Sequence, residues 1–129
     1  MNISDAATRA DLPAKTIRYY EEIELIKIPR TDNGYREFDE AVIHKLAFIG
    51  RARALGFSID ECRTLLSLYE DKQRASRDVR ELAIRHLAHI NDKLTALENM
   101  RDTLQHLVEC CHGDSRPDCP ILADLAAKP

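Results

Sequence analysis

The chain has no tryptophan, only 5% aromatic residues and four glycines in 129 positions. That scarcity argues against a large twisted sheet, which draws on aromatic and β-branched residues and on glycine-bearing turns. Nowhere do about 18 consecutive apolar residues occur, so no membrane-spanning helix is expected. The opening "MNISDAATRADL" has no charged stretch leading into an apolar one, so no secretory leader is expected either, and the predicted location is the cytoplasm. In that reducing compartment a structural disulfide is disfavoured, and clustered cysteines point to metal or redox chemistry. Strong positive charge is missing too: the net charge is −3 and the isoelectric point about 5.9. A protein coating nucleic acid by bulk electrostatics is therefore not expected, and any anionic partner must be met by a local arrangement of cations.

What is present is abundant Ala, Leu, Arg and Glu, with 44% hydrophobic and 32% charged residues. This is the composition of a mostly helical, soluble single unit with enough apolar material for a core. A short helical pattern runs from Ile3 to Ala10. It breaks at residues 11–13 and resumes from Ala14 to Ile23, with Pro13 suited to a first helical turn. On the second helix Ile17 falls opposite the polar run, while Lys15, Arg18 and Tyr19 share a face at helical spacing. Two cations and a phenol on one face suit a phosphate-lined groove, although the same pattern also fits a solvated face over a packed tyrosine pair.

"LIKIPRTDNGYREF" follows, two short alternating runs around Asn33-Gly34. This dipeptide predicts a hairpin, since both turn positions tolerate positive φ, and Pro29 marks an edge. With Lys27, Arg30, Arg36 and Tyr35 it completes the pattern of a winged helix-turn-helix. Residues 13–36 hold five cations against four acids, so sorting by face has to supply the field.

Asp39 can cap a third helix to Leu55, stopped at Gly56, and Ser58 with Glu61 forms a capping box for a fourth through Leu68. Cys62 lies on that helix's apolar face and reads as a buried thiol. After "EDKQRA" a long helix is predicted from Ser76 to Val108. Ala83, Leu87, Ile90, Leu94, Leu97, Leu104 and Val108 alternate at four and three residues, interrupted at Arg101. This is a coiled-coil stripe about 50 Å long, which calls for a second copy of the chain. His86, His89 and His106 ride on this helix and read as solvated or interface side chains.

"CCHGDSRPDCP" holds three of the four cysteines. Gly113 and Pro117 allow the loop to bring Cys111 and Cys119 together, and Pro120 predicts a short helix whose start would favour a thiolate at Cys119. Zinc would need four ligands from Cys110, Cys111, His112 and Cys119, and neighbouring side chains chelate poorly. Two thiolates without firm further ligands suit a soft monovalent ion, chiefly Cu(I); an adventitious polar tail is the alternative.

Together, "TIRYYEE", "NGYREF", "RARALGFSIDE" and "DCPI", in that order around a long helix, resemble the MerR family of transcription regulators, and most closely its copper efflux regulators. The resemblance covers essentially the whole chain. It implies a mainly α fold: a winged helix-turn-helix over 1–38, a connecting helix pair over 39–72, an antiparallel dimerisation helix over 75–108, and a metal-binding loop with a short helix over 109–129. It further implies a homodimer on double-stranded promoter DNA that, once metal-loaded, distorts the operator so that RNA polymerase can use it; no enzymatic activity and no membrane partner are implied. By position, Cys111 and Cys119 match the metal ligands and Ser76 a selectivity position that is Ser in monovalent-metal sensors. Lys15, Thr16, Arg18, Tyr19, Tyr20, Tyr35 and Arg36 match the DNA-contacting set. The implied effector is Cu(I), with Ag(I) or Au(I) as further candidates. A sensor of a divalent ion such as Hg(II) or Zn(II) is the alternative, and a metal carrier without DNA a more distant one. Cys110 and His112 depart from the pattern, Cys110 being read as a bystander.

Overall fold

Asn2 and Asp5 start the first helix by mutual capping: the Asp5 backbone N–H donates to Asn2 Oδ1 at 2.9 Å while the Asn2 N–H is answered by the Asp5 carboxylate. This is α1, Ile3–Ala10, in a computed structural model that describes residues 1–114, 117 and 119–127. Asp11 takes a left-handed conformation (φ 57°), and the Leu12 N–H returns to the Ala7 carbonyl at 3.0 Å, closing the helix end. The chain then enters α2, Ala14–Glu22, with Pro13 as its N-cap rather than inside its first turn. Then come α3 (Glu40–Ala54), capped by Asp39, α4 (Ile59–Glu70), opened by the predicted Ser58–Glu61 capping box, α5 (Ser76–Cys110) and α6 (Pro120–Ala126). The architecture is mainly helical, and none of the helices is long and apolar enough to cross a membrane among the described residues.

Two compact units divide the chain, Met1–Arg80 and Glu81–Pro129, with the division falling inside α5. In the first unit α3 is the central element, packing on α1 and on α4, while α1 also packs on α2. Ile17, Leu46, Ile49 and Cys62 are fully buried at its centre, surrounded by Ala6, Ala10, Tyr20, Leu25, Ile26, Ile28, Phe38, Val42, Ile43 and Leu66. Gly50 stands in the middle of α3, where glycine weakens a helix; a Cβ there would come within 3.2 Å of Leu12 Cδ2. Close approach of the turn after α1 accounts for it.

The wing differs from the expected hairpin. Among the described residues its only bridge is the antiparallel pair Arg30 and Arg36. The loop has three residues, not two: the Gly34 N–H donates to the Thr31 carbonyl at 2.9 Å and the Thr31 N–H to the Tyr35 carbonyl at 2.7 Å. Gly34 has φ 83°, while Asn33 does not enter the left-handed region. The turn therefore needs one residue of positive φ, which only the glycine supplies without strain.

The second unit is built on α5 and α6. Of the predicted stripe, Leu87, Leu94, Leu97, Leu104 and Val108 are each half or more exposed, Ala83 is exposed and Ile90 is partly buried. His89 and His106 are exposed, but His86 is buried, correcting the expectation of a solvated or interface side chain there. Leu125 and Asp124 of α6 line a cleft with Met100, Thr103, Leu104 and Leu107 of α5, so the short helix returns along the long one.

Candidate nucleic-acid interface and metal loop

Ile17 and Tyr20 anchor α2 in the core at a spacing of three, which turns Lys15, Arg18 and Tyr19 outward. Thr16 is partly buried at the edge of that face. Tyr20 requires a correction. Taken from the motif as a DNA contact, it is 5% exposed and packed in the core, tilted against Tyr19 at a ring separation of 6.2 Å. Helical geometry cannot place both members of an adjacent pair on one face, because they diverge by about 100°. Tyr35 stands out at the wing tip, 73% exposed, and Arg36 is partly buried beside it.

Glu21, counted in the sequence only as an opposing charge, joins the helix to the wing. Its Oε1 accepts from Arg36 Nε at 2.8 Å and from Arg30 Nη2 at 3.1 Å. One carboxylate of α2 thereby sets the position of both arms of the wing, and it also offsets two of the five cations counted there. Arg63 of α4 makes a comparable link just past the same C-terminal end of α2. Its guanidinium donates to the carbonyls of Glu24 at 2.9 Å and Ile23 at 3.2 Å. These carbonyls lie where the chain leaves the helix, at a Glu24 held at φ 59°, and a cation there also complements the helix dipole. Neither link was legible in the sequence, since each spans loops whose path depends on packing; only the absence of a basic residue in the last turn of α2 left room for a donor from elsewhere.

In the second unit α5 runs to Cys110, and the Cys111 N–H still donates to the Leu107 carbonyl at 3.1 Å. Gly113, at φ 67°, then turns the chain. Cys119 is the N-cap of α6, and its carbonyl accepts from the Ala123 N–H at 2.9 Å. The Leu122 backbone N–H holds the Cys119 thiol below its ordinary range, burial opposes it as the next largest effect, and the Ile121 N–H and the Cys111 side chain add lesser lowering. The Cys111 side chain is thus close enough to Cys119 to act on its thiol. Cys110 faces elsewhere, its Sγ 3.8 Å from His106 Nε2. His112 is exposed, and among the described residues no three His, Cys, Asp or Glu side chains gather where one ion could sit. Ser76, which the resemblance matched to a selectivity position, is exposed at the start of α5.

The family is decided by comparison with known proteins. The model of "MerR HTH family regulatory protein" matches residues 1–68, and that of "MerR, DNA binding" matches residues 43–107. The chain belongs to the MerR family. Its fold and its helix-turn-helix are those of a MerR-type regulator, as the resemblance implied. The two family matches together reach through α1–α4 and nearly all of α5 but stop before the cysteine loop. Relatives extend the likeness over almost the full length. The HTH-type transcriptional regulator HmrR of Rhizobium leguminosarum bv. viciae is 56% identical over 126 residues, covering 98% of both chains. The HTH-type transcriptional regulator CueR of Salmonella typhimurium is 40% identical, covering 98% of this chain and 92% of its own. Among solved structures, the transcription regulator PbrR691 from Ralstonia metallidurans CH34 in complex with lead(II) superposes with a TM-score of 0.82. It is 31% identical and covers 98% of this chain and 99% of its own.

The four thiols of this MerR-family chain should differ sharply in reactivity. Burial pushes the Cys62 thiol up, with Arg53 opposing and Glu61 reinforcing that shift, and its Sγ lies 3.9 Å from the Phe57 carbonyl. Alkylation of the metal-free protein at neutral pH is expected to reach Cys119 well before Cys62, which reacts only on unfolding. Because the thiolate is the nucleophile, the rate profile of Cys119 should lie at lower pH than that of an ordinary thiol. Mass-spectrometric mapping of labelled peptides across pH checks this; equal labelling of Cys62 and Cys119 in the folded protein contradicts it.

Proposed function

We propose that this MerR-family protein is a Cu(I)-responsive activator of copper efflux and detoxification promoters, with Cys111 and Cys119 as the two ligands of the effector ion. The observation that carries this reading is the pair itself. Cys119 caps the short helix close enough to Cys111 for that side chain to act on its thiol, Cys119 is biased toward the thiolate, and no third donor converges with them among the described residues. Linear coordination by two sulfurs satisfies Cu(I), and Ag(I) or Au(I) by the same chemistry, while a divalent ion asks for three or four ligands.

In this reading residues 1–38 form the DNA-binding wing and helix, 39–72 the connector, 75–108 the dimerisation helix and 109–129 the sensing loop. A second copy covers the exposed leucine stripe of α5 in antiparallel pairing, bringing Ser76 of one subunit toward the loop of the other. Lys15, Arg18 and Tyr19 of α2, with Thr16 at their edge, and Tyr35 and Arg36 of the wing engage the phosphate backbone beside the groove that α2 enters. Both metal-free and loaded dimers bind the operator. The loaded one favours a bent, untwisted operator on which RNA polymerase finds its two promoter elements aligned, so the signal passes as a difference in DNA shape.

Titration of the reduced full-length protein with Cu(I), followed by X-ray absorption, tests the assignment. One ion per chain with two sulfur neighbours is expected. Three or four mixed ligands would overturn it in favour of a divalent sensor that recruits Cys110 or His112. A salt-dependent gel shift on promoter DNA separates both from a metal carrier, which has no operator affinity. Ser76→Cys should widen the response. A third thiolate gives Hg(II) or Zn(II) the coordination that serine withholds, and induction by a divalent ion should appear in a reporter assay that the parent protein fails.

A further inference from the structure

Cys110 and Cys111 are neighbours in sequence with different partners. Cys111 begins the loop that leads to Cys119, whereas Cys110 Sγ lies 3.8 Å from His106 Nε2, one helical turn back along α5. The Cys111 N–H continues the helical hydrogen bonding, so the two side chains leave the helix about 100° apart and cannot both turn to the loop. We propose that His106 and Cys110 form a second metal site, an N,S chelate on the helix surface for a borderline divalent ion such as Zn(II), separate from the Cys111–Cys119 pair.

The spacing is that of a chelate. With bonds of about 2.3 Å to a thiolate and about 2.05 Å to an imidazole, donors 3.8 Å apart subtend roughly 120° at the ion, close to tetrahedral. Residues four apart on a helix face the same way, so the chelate needs no rearrangement of the backbone. One imidazole and one thiolate are a borderline donor set, which favours Zn(II) over a soft monovalent ion that prefers two sulfurs. Asp102 lies on the same stripe, a further four residues back, but its carboxylate is taken by Arg101 at 3.4 Å, so solvent supplies the remaining ligands.

Location on the helix keeps the site open. His106 lies about 180° around α5 from the midpoint of Leu104 and Val108, and Cys110 about 140° from it. Both are exposed, and pairing of the leucine stripe with a second copy leaves this outer face in solvent. The inference does not rest on the Cu(I) reading, because neither residue belongs to the loop pair.

Co(II) as a spectroscopic stand-in for Zn(II), added to reduced full-length Cys111→Ser/Cys119→Ser protein, tests it. One Co(II) per chain with a thiolate-to-cobalt charge-transfer band is expected, competed away by Zn(II). Adding Cys110→Ser should abolish the band, and adding His106→Gln should weaken Co(II) binding about tenfold or more. All four positions are solvent-accessible, so an unchanged thermal melt by circular dichroism separates lost ligation from lost fold. Absence of the band in the double variant overturns the proposal, and so does a band whose affinity His106→Gln leaves within a few-fold.

Discussion

Cys111→Ser is expected to reduce copper-dependent transcription to the uninduced level while operator affinity stays at that of the metal-free parent. A two-coordinate ion has no spare ligand. Replacing one thiolate by a neutral hydroxyl removes half of the coordination sphere, and serine is a poor donor to a soft ion. The cations proposed to meet DNA lie in the Met1–Arg80 unit, and Cys111 lies in the other, so the electrostatic part of operator binding is untouched. Binding and activation should therefore separate, because smoothly bending an operator costs about 1–6 kcal/mol, and only a ligand that favours the bent complex can offset it. In vitro transcription with and without Cu(I), beside a gel shift at matched salt, reads both. Retained induction by copper would remove Cys111 from the ligand set and with it the case for the loop.

Leu46→Ala should unfold a substantial fraction of the DNA-binding unit at physiological temperature. Leu46 is fully buried in the middle of α3, the helix that packs on both α1 and α4. Truncation of such a leucine costs about 2–5 kcal/mol in lost burial and residual cavity. A unit of about 80 residues has only about 4–12 kcal/mol to lose. For a domain of this size each kcal/mol moves the midpoint by roughly 4–8 °C, so a fall of at least about 10 °C is expected in a thermal melt, with loss of operator binding tracking unfolding. Leu46→Met, close in volume, should cost less than about 1.5 kcal/mol and keep the gel shift. A melt unaltered by Leu46→Ala would mean that α3 is not the centre of this core.

Local signals explain why so many element boundaries were readable beforehand. Asp39 and the Ser58–Glu61 box each act on a backbone N–H three residues away, and a cap of that range is visible in any short window of sequence. The periodic spacing of Ile17 against Lys15, Arg18 and Tyr19 is equally local. Tyr20 escaped because its motif neighbours resemble contact residues and only the position of α3 and the wing decides which side of α2 is the inside. The three-residue wing loop escaped for a related reason: Asn33-Gly34 is compatible with two loop lengths, and the pairing of Thr31 with Tyr35 chooses between them.

The sequence by itself determined the helical architecture, the MerR family, the buried Cys62 and the leucine stripe of α5, all of which depend on composition, motif or period along the chain. Tertiary structure decided which charges act together. Glu21 binding two wing arginines, Arg63 capping α2 from α4 and Cys111 acting on the Cys119 thiol join residues separated by a turn or a loop, whereas Cys110 beside His106 follows from helical spacing alone. The physical reason is range. Capping and helical periodicity act over one or two turns of chain, whereas the field at a thiol or a guanidinium is set by whatever packing brings within a few ångströms.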